Sequence, residues 1–445
     1  MSGTAAASTT LRETLPVWAK VAALSFGGPA GQIAVMQRIL VDERRWISQR
    51  RFLHALNYCM LLPGPEAMQL AAYIGWLMHR WRGGLVAGGI FVLPGFVTIL
   101  ALSILYAGWG DVPLVEAVFY GIKPAVVAVV VHALVRIAKR ALASPLLLAV
   151  ATMAFVAIFA FGVPFPAIIA VAALVGWLGA RLGIIALTAP LLPGADDPPE
   201  PEPVPPPRIR RTVGTVLLWL AIWWVPVGLL ALVLPGSVLV TEAVFFSKTA
   251  TVTFGGAYAV LTYIAQRAVE DFGWLAPGEM LDGLGMAETT PGPLILVIQF
   301  VGFLGAYRNP GALDPMVAGV IGSVVTTWVT FVPCFLWIFG GAPYIEHLWG
   351  RKDLTAALSA ITAAVVGVIL NLAAWFSIRT LFGATDRLTR WGFELDVPVW
   401  ATIDPLALTI SISAAVALFR FRRGILETMA VAAVVGGAAR LLGSI

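Results

Sequence analysis

Two lysines stand at the same distance from the same kind of chain break. Lys20 precedes Ser25-Phe26-Gly27-Gly28, and Lys248 precedes Thr253-Phe254-Gly255-Gly256. The offset is 248 − 20 = 228 residues, and the same offset carries Trp46 onto Trp274 and Pro63-Gly64-Pro65 onto Pro291-Gly292-Pro293. Slightly beyond, Gln69-x5-Gly75 matches Gln299-x5-Gly305. Glycine and proline break a helix. A helix that restarts after such a break presents unpaired N–H groups and about half a unit of positive charge. Without a Cβ, Gly27, Gly28, Gly64, Gly255, Gly256 and Gly292 let a ligand approach those amides closely. Ser25, Thr253 and Thr290 add hydroxyl donors, and the two lysines supply full charges. Such a kit captures a compact oxyanion, and it suits a sugar or a metal cation poorly.

Other residues have two readings each. Lys123, before Pro124, lies ~13 Å along its helix if that helix begins near Leu114; its repeat partner is Thr362, and both a ligand and a structural role stay open. Gln69 and Gln299 either line the pocket or bond between helices. Glu66 follows one Pro-Gly-Pro and Glu288 precedes the other. A carboxylate at membrane depth costs several kcal/mol, so each is read either as a helix cap or as a proton carrier. The glycine tips compete with a reading as sites of close helix packing. Lys20, near Arg12, competes with a reading as an interfacial snorkel. Cys59 and Cys334 lack metal or redox spacing and the four histidines do not cluster, so no metal and no cofactor is expected.

The elements that hold this kit are set by composition. Of 445 residues, 59% are hydrophobic and 12% charged, half the charge of an average soluble domain at about 25%. Charge-free runs such as Gly84 to Trp109 and Thr212 to Thr241 exceed the roughly 20 residues needed to cross the hydrocarbon core. They are too long for barrel strands. The sequence predicts an all-α polytopic membrane protein, neither a soluble enzyme nor a nucleic-acid binder, with the lipid bilayer as its solvent. The net charge of +5 reads as the basic loop excess of an inner-membrane protein. The first 15 residues lack the pattern of a cleavable signal peptide.

A proline-rich segment, Pro193 to Pro207, divides two apolar halves and would extend roughly 45 Å as a polyproline spacer. The expected organisation is a first membrane repeat over 1–190, a cytoplasmic linker over 191–212, and a second repeat over 213–445 led by an extra helix at 213–235. The stretch Arg38 to His54 has a net charge of +3 and its partner Gln266 to Asp282 a net of −3. Basic loops stay in the cytoplasm, so the repeats are expected to be inverted. With the breakers placed at tips of re-entrant hairpins, about nine spanning helices plus four hairpins result. The amino end and linker then lie inside and the carboxyl end outside. A homo-oligomer is not indicated.

The runs Phe26-Gly27-Gly28-Pro29-Ala30-Gly31-Gln32, Leu62-Pro63-Gly64-Pro65-Glu66-Ala67-Met68-Gln69, Gly121-Ile122-Lys123-Pro124, Phe254-Gly255-Gly256-Ala257-Tyr258 and Thr290-Pro291-Gly292-Pro293 resemble the signatures of the chromate ion transporter superfamily. The resemblance covers both halves. It implies a two-domain secondary transporter that exports chromate, driven by the proton motive force. It leaves open a preference for sulfate, a tetrahedral dianion of similar size. A charge crossing the membrane is worth about 2.3 kcal/mol per 100 mV, so a dianion leaving a negative interior gains roughly 4.6. Export is favoured electrically, which also keeps a passive anion channel among the alternatives. Without flavin, haem or cysteine motifs, an intramembrane chromate reductase is remote.

Overall fold

The computed structural model describes residues 9–443 apart from 27, 110–111, 184–208, 255–256, 277, 342–343, 345–351 and 391–392. Gly27, Gly255, Gly256 and the proline-rich linker therefore lie outside the described residues.

The chain opens with α1 (Leu11–Ala23), fixed at its start by a capping box in which the Thr10 N–H donates to Glu13 Oε2 at 2.8 Å. After the first glycine break α2 (Gly28–Gln37) runs into a π turn, Arg38–Glu43. Next, α3 (Gln49–Leu61), capped by Ser48, leads to Pro63-Gly64-Pro65. The following α4 (Glu66–Trp109) leaves helical geometry at His79 and Arg80, where Arg80 has φ 53°. The chain folds back there, because Gly75 and Gly83 lie backbone against backbone. Then come α5 (Pro113–Ala141), α6 (Pro145–Phe161) and α7 (Phe165–Arg181).

The second half repeats this order behind one additional helix, α8 (Ile209–Val233). It comprises α9 (Val238–Val252), α10 (Ala257–Gln266) with a π turn at Arg267–Asp271, and α11 (Glu279–Thr289). A 3-10 turn (Leu294–Leu296) follows, then α12 (Val297–Arg308), α13 (Pro315–Gly341) and α14 (Lys352–Leu381). After β1 (Thr385–Arg390) and β2 (Phe393–Pro398), α15 (Pro405–Phe419) and α16 (Ile425–Leu441) close the chain. Among the described residues α4, α5, α8, α13 and α14 are long and apolar enough to cross a membrane. The 15 residues of α15 and the 17 each of α6, α7 and α16 span ~23–26 Å. The protein is thus a helical membrane protein.

The β1–β2 hairpin, antiparallel with Thr385 opposite Pro398 and Arg390 opposite Phe393, is absent from the all-α expectation. Its charged residues Asp386, Arg387, Arg390, Glu394 and Asp396 exclude it from a span, and nothing in helical periodicity announces it. Asp404 and Glu427 mark helix ends. Asp404 accepts from the N–H groups of Leu406 and Ala407 at 2.9 Å each, and Glu427 in the first turn of α16 pairs with Arg423.

The helices form two compact units, and each unit draws on both halves of the chain. Met1–Ala101, Leu192–Gly256 and Thr290–Gly350 make the first; Leu102–Leu191, Ala257–Thr289 and Arg351–Ile445 make the second. Within the second, α6 and α7 pack against α14, while α15 and α16 pack against α5. The last helix pair of each half therefore leans on the long helix of the other. Small residues permit it: Gly121 of α5 lies on Ala432 of α16, and Gly367 of α14 on Ala151 of α6.

Candidate functional site

In the first unit the breakers of one half are bound to those of the other. The Gly64 N–H donates to the Thr253 carbonyl at 2.7 Å, and the Gly292 N–H donates to the Ser25 carbonyl at 2.9 Å. Because 64 + 228 = 292 and 25 + 228 = 253, these two bonds are the same bond made in both directions. Each Pro-Gly-Pro glycine has a positive φ, 123° at Gly64 and 111° at Gly292, a region that side chains disfavour. Packing reinforces the constraint. A Cβ on Gly64 would meet Gln69 and Cys334, and one on Gly292 would meet Gly95. Gly95 and Cys334 follow Pro94 and Pro333, the prolines inside α4 and α13. Two Nε2 groups complete the clamp: Gln32 donates to the Gly292 carbonyl at 2.6 Å and Gln69 to the Pro63 carbonyl at 2.7 Å.

The expected donors are differently employed. Buried Ser25 and Thr253 direct their hydroxyl hydrogens at the Val21 and Thr249 carbonyls of the helices that end just before them, both at 2.6 Å. The Gly64 and Gly292 amides are likewise occupied by the opposite tip, so close packing is one of their roles. Gly28, φ 74°, is buried at the start of α2, and Thr290 is buried at the second tip. Lys20 is exposed and engaged by Glu43 at 3.0 Å, which spends on a carboxylate the charge expected for an anion. Lys248 is exposed on α9. Gln69 and Gln299 are both buried, and Gln299 donates to the Phe96 carbonyl at 2.9 Å. Their Oε1 atoms have no partner among the described residues. Glu66 is half-buried in the first turn of α4, where a carboxylate caps helix charge.

The second unit gathers the remaining candidates. Lys123 pairs with Asp282 of α11 at 3.2 Å, and the Tyr106 hydroxyl donates to the same carboxylate at 2.9 Å. One helix turn and a half further along α11, buried Glu288 accepts a hydrogen bond from the Tyr258 hydroxyl. The second Glu288 oxygen has no partner among the described residues.

Two carboxylates escaped the reading of the sequence as site residues. Asp282 entered it only as a loop charge, yet it is buried in α11; without it the stretch keeps Arg267 against Glu270, Asp271 and Glu279, a net of −2. Glu242 lies fully buried in α9 with both oxygens unpartnered among the described residues, facing Gly322 of α13. Its signal was available, since it is the first charge after the run ending at Thr241.

Comparison with known proteins gives a consistent picture. The family described as chromate transporter matches residues 13–177 and 240–439. A chromate transport protein of Pseudomonas aeruginosa is 32% identical over 79% of this chain and 77% of its own. One from Cupriavidus metallidurans is 27% identical over 81% of each. A probable chromate transport protein of Synechococcus elongatus is 26% identical over 91% of this chain and 95% of its own. No solved structure matches.

Proposed function

Since the chain belongs to the chromate transporter family, we propose that it exports chromate from the cytoplasm as a secondary transporter of the inner membrane, drawing on the proton motive force. The observation that carries a site in the first unit is the reciprocal pair of tip bonds, Gly64 to Thr253 and Gly292 to Ser25. It places helix breakers from both halves on one another, as expected where repeats of a transporter meet. In this reading the halves are inverted relative to each other, with about nine spanning helices and four re-entrant hairpins, and with the amino end inside and the carboxyl end outside. The three sections assigned from the sequence, 1–190, 191–212 and 213–445, are the two repeats and their cytoplasmic linker.

In this reading the tips open to admit the dianion. The Gly64 and Gly292 amides and the hydroxyls of Ser25 and Thr253 then turn from protein carbonyls to the ligand, joined by the Gly28 amide and the Thr290 hydroxyl, with Lys248 supplying charge. Gly27, Gly255 and Gly256, which adjoin these residues in the sequence, are assigned to the same site. Lys20 joins them only by leaving Glu43. Gln69 and Gln299, each with a spare oxygen, border the site. Lys123, Glu66 and Glu288 serve charge compensation and proton transfer. A dianion leaving a negative interior gains roughly 4.6 kcal/mol per 100 mV, which supports export.

Everted membrane vesicles containing the protein should accumulate labelled chromate when energised, and excess sulfate should compete only weakly. No accumulation by verified, folded protein would reject the proposal, and equal competition by sulfate would replace chromate with a broader oxyanion class.

A further inference from the structure

Lys123 does not wait for an anion with its charge free. Its ammonium lies 3.2 Å from Asp282 Oδ2, with the Lys123 side chain 32% exposed and that of Asp282 2%. The same Oδ2 accepts from the Tyr106 hydroxyl at 2.9 Å. Asp282 Oδ1 has no partner among the described residues. The lysine can therefore be approached from its open side while the carboxylate cannot follow it out. Gly278 borders the ammonium, and a Cβ there would sit 3.2 Å from Nζ.

The groups acting on Asp282 can be named. Lys123 comes from α5, Tyr106 from α4, and Glu279 precedes it by one turn of α11. From α16, also packed on α11, Met429 approaches Gly285, and Glu427 is engaged with Arg423. Arg136 of α5 acts instead on Glu288 and Tyr258. Among the described residues Lys123 is thus the counter-charge of Asp282.

We propose that the transported oxyanion and Asp282 compete for Lys123, so that the anion engages this lysine only when a proton has neutralised Asp282. The inference rests on the oxyanion reading above and deepens it. If the anion drew the ammonium away from an ionised Asp282, a buried carboxylate would lose its counter-charge, the most costly state for such a group. Adding a proton to Oδ1 or Oδ2 removes that cost. Lys123 stays an ammonium throughout and the Tyr106 hydroxyl keeps an oxygen to donate to. One proton is thus taken up as the anion binds and is given back as the anion leaves Lys123.

The test is equilibrium binding of chromate to the purified full-length protein in detergent, from mildly acidic to mildly alkaline pH, beside the Asp282→Asn variant. One linked proton predicts that wild-type affinity falls by up to about tenfold per pH unit relative to the variant, whose profile keeps the remaining titrations, that of chromate among them. Identical profiles for the two proteins would overturn the proposal while leaving the oxyanion site standing. Binding by neither protein at any pH would remove the oxyanion reading and the competition with it. Should Asp282→Asn fail to fold, a pH-indicator dye in weakly buffered wild-type protein decides. About one proton taken up per chromate bound, beyond the dye response of chromate alone, supports the competition; none overturns it.

Discussion

Ser25 and Thr253 hold their hydroxyl hydrogens on carbonyls one turn back, so their service to an anion needs only a rotation about one bond. A hydrogen bond to a charged group is worth about 1.5–3 kcal/mol, and one between neutral groups about 1. Thr253→Val should therefore weaken chromate binding by about tenfold or more while leaving the melting temperature nearly unchanged. A variant that binds normally would return Thr253 to a purely structural role. Lys20 gives a contrasting expectation. Its hydrogen bond and charge hold the Glu43 carboxyl below its ordinary value of 4.5. A depressed value stabilises the fold above the unfolded value and is lost only as pH falls through the folded one. The Lys20–Glu43 pair is thus intact at neutral pH, and Glu43→Gln should leave any bend in a transport profile near neutrality where it was. A bend that moves in Glu43→Gln would contradict this. Lysines and hydroxyls were legible in the sequence because they recur at one offset. Asp282 was not, because a carboxylate without a repeat partner looks the same at a loop as in a core; Glu242 was passed over although it is the first charge after the run ending at Thr241.

At the scale of elements the breakers were the legible part. Pro-Gly-Pro announces a helix break, and a helix breaks at both. What spacing could not supply is the partner of each, since the bonds Gly64 to Thr253 and Gly292 to Ser25 join residues roughly 190 and 270 positions apart, beyond the reach of local propensity. Alanine at either glycine meets a positive φ, worth about 1–2 kcal/mol, and a filled neighbourhood. Gly64→Ala and Gly292→Ala should each lower thermal stability measurably, and by similar amounts. A large loss in one and none in the other would contradict the equivalence of the two tips. The turn at His79 and Arg80 falls on the charged stretch His79-Arg80-Trp81-Arg82, where a loop was legible; the close contact of its two arms at Gly75 and Gly83 was not. Gly75→Val should abolish recovery of monodisperse protein on size exclusion; normal recovery would mean the arms do not need that contact. The β1–β2 hairpin escaped for the reason opposite to the tips: it carries no breaker pair that recurs.

At the scale of the molecule the repeat shifts register along the chain. It runs at 228 residues through the tips and at 239 from Pro94 and Pro333 to Lys123 and Thr362. By Pro145 and Pro405, the first residues of α6 and α15, it has reached 260, the hairpin having been inserted between. The halves were legible because their motifs recur in order. The units were not, because helices of one half pack on those of the other, as α6 and α7 do on α14, and a sequence does not record such exchange. The central claim is that broken helices from both halves, with Lys248, hold an oxyanion. Equilibrium binding of labelled chromate to the purified wild type and to Lys248→Ala, whose exposed position spares the fold, tests it most directly. Saturable binding that weakens at least tenfold in the variant is predicted; equal binding by the two proteins, or none by the wild type, would contradict it.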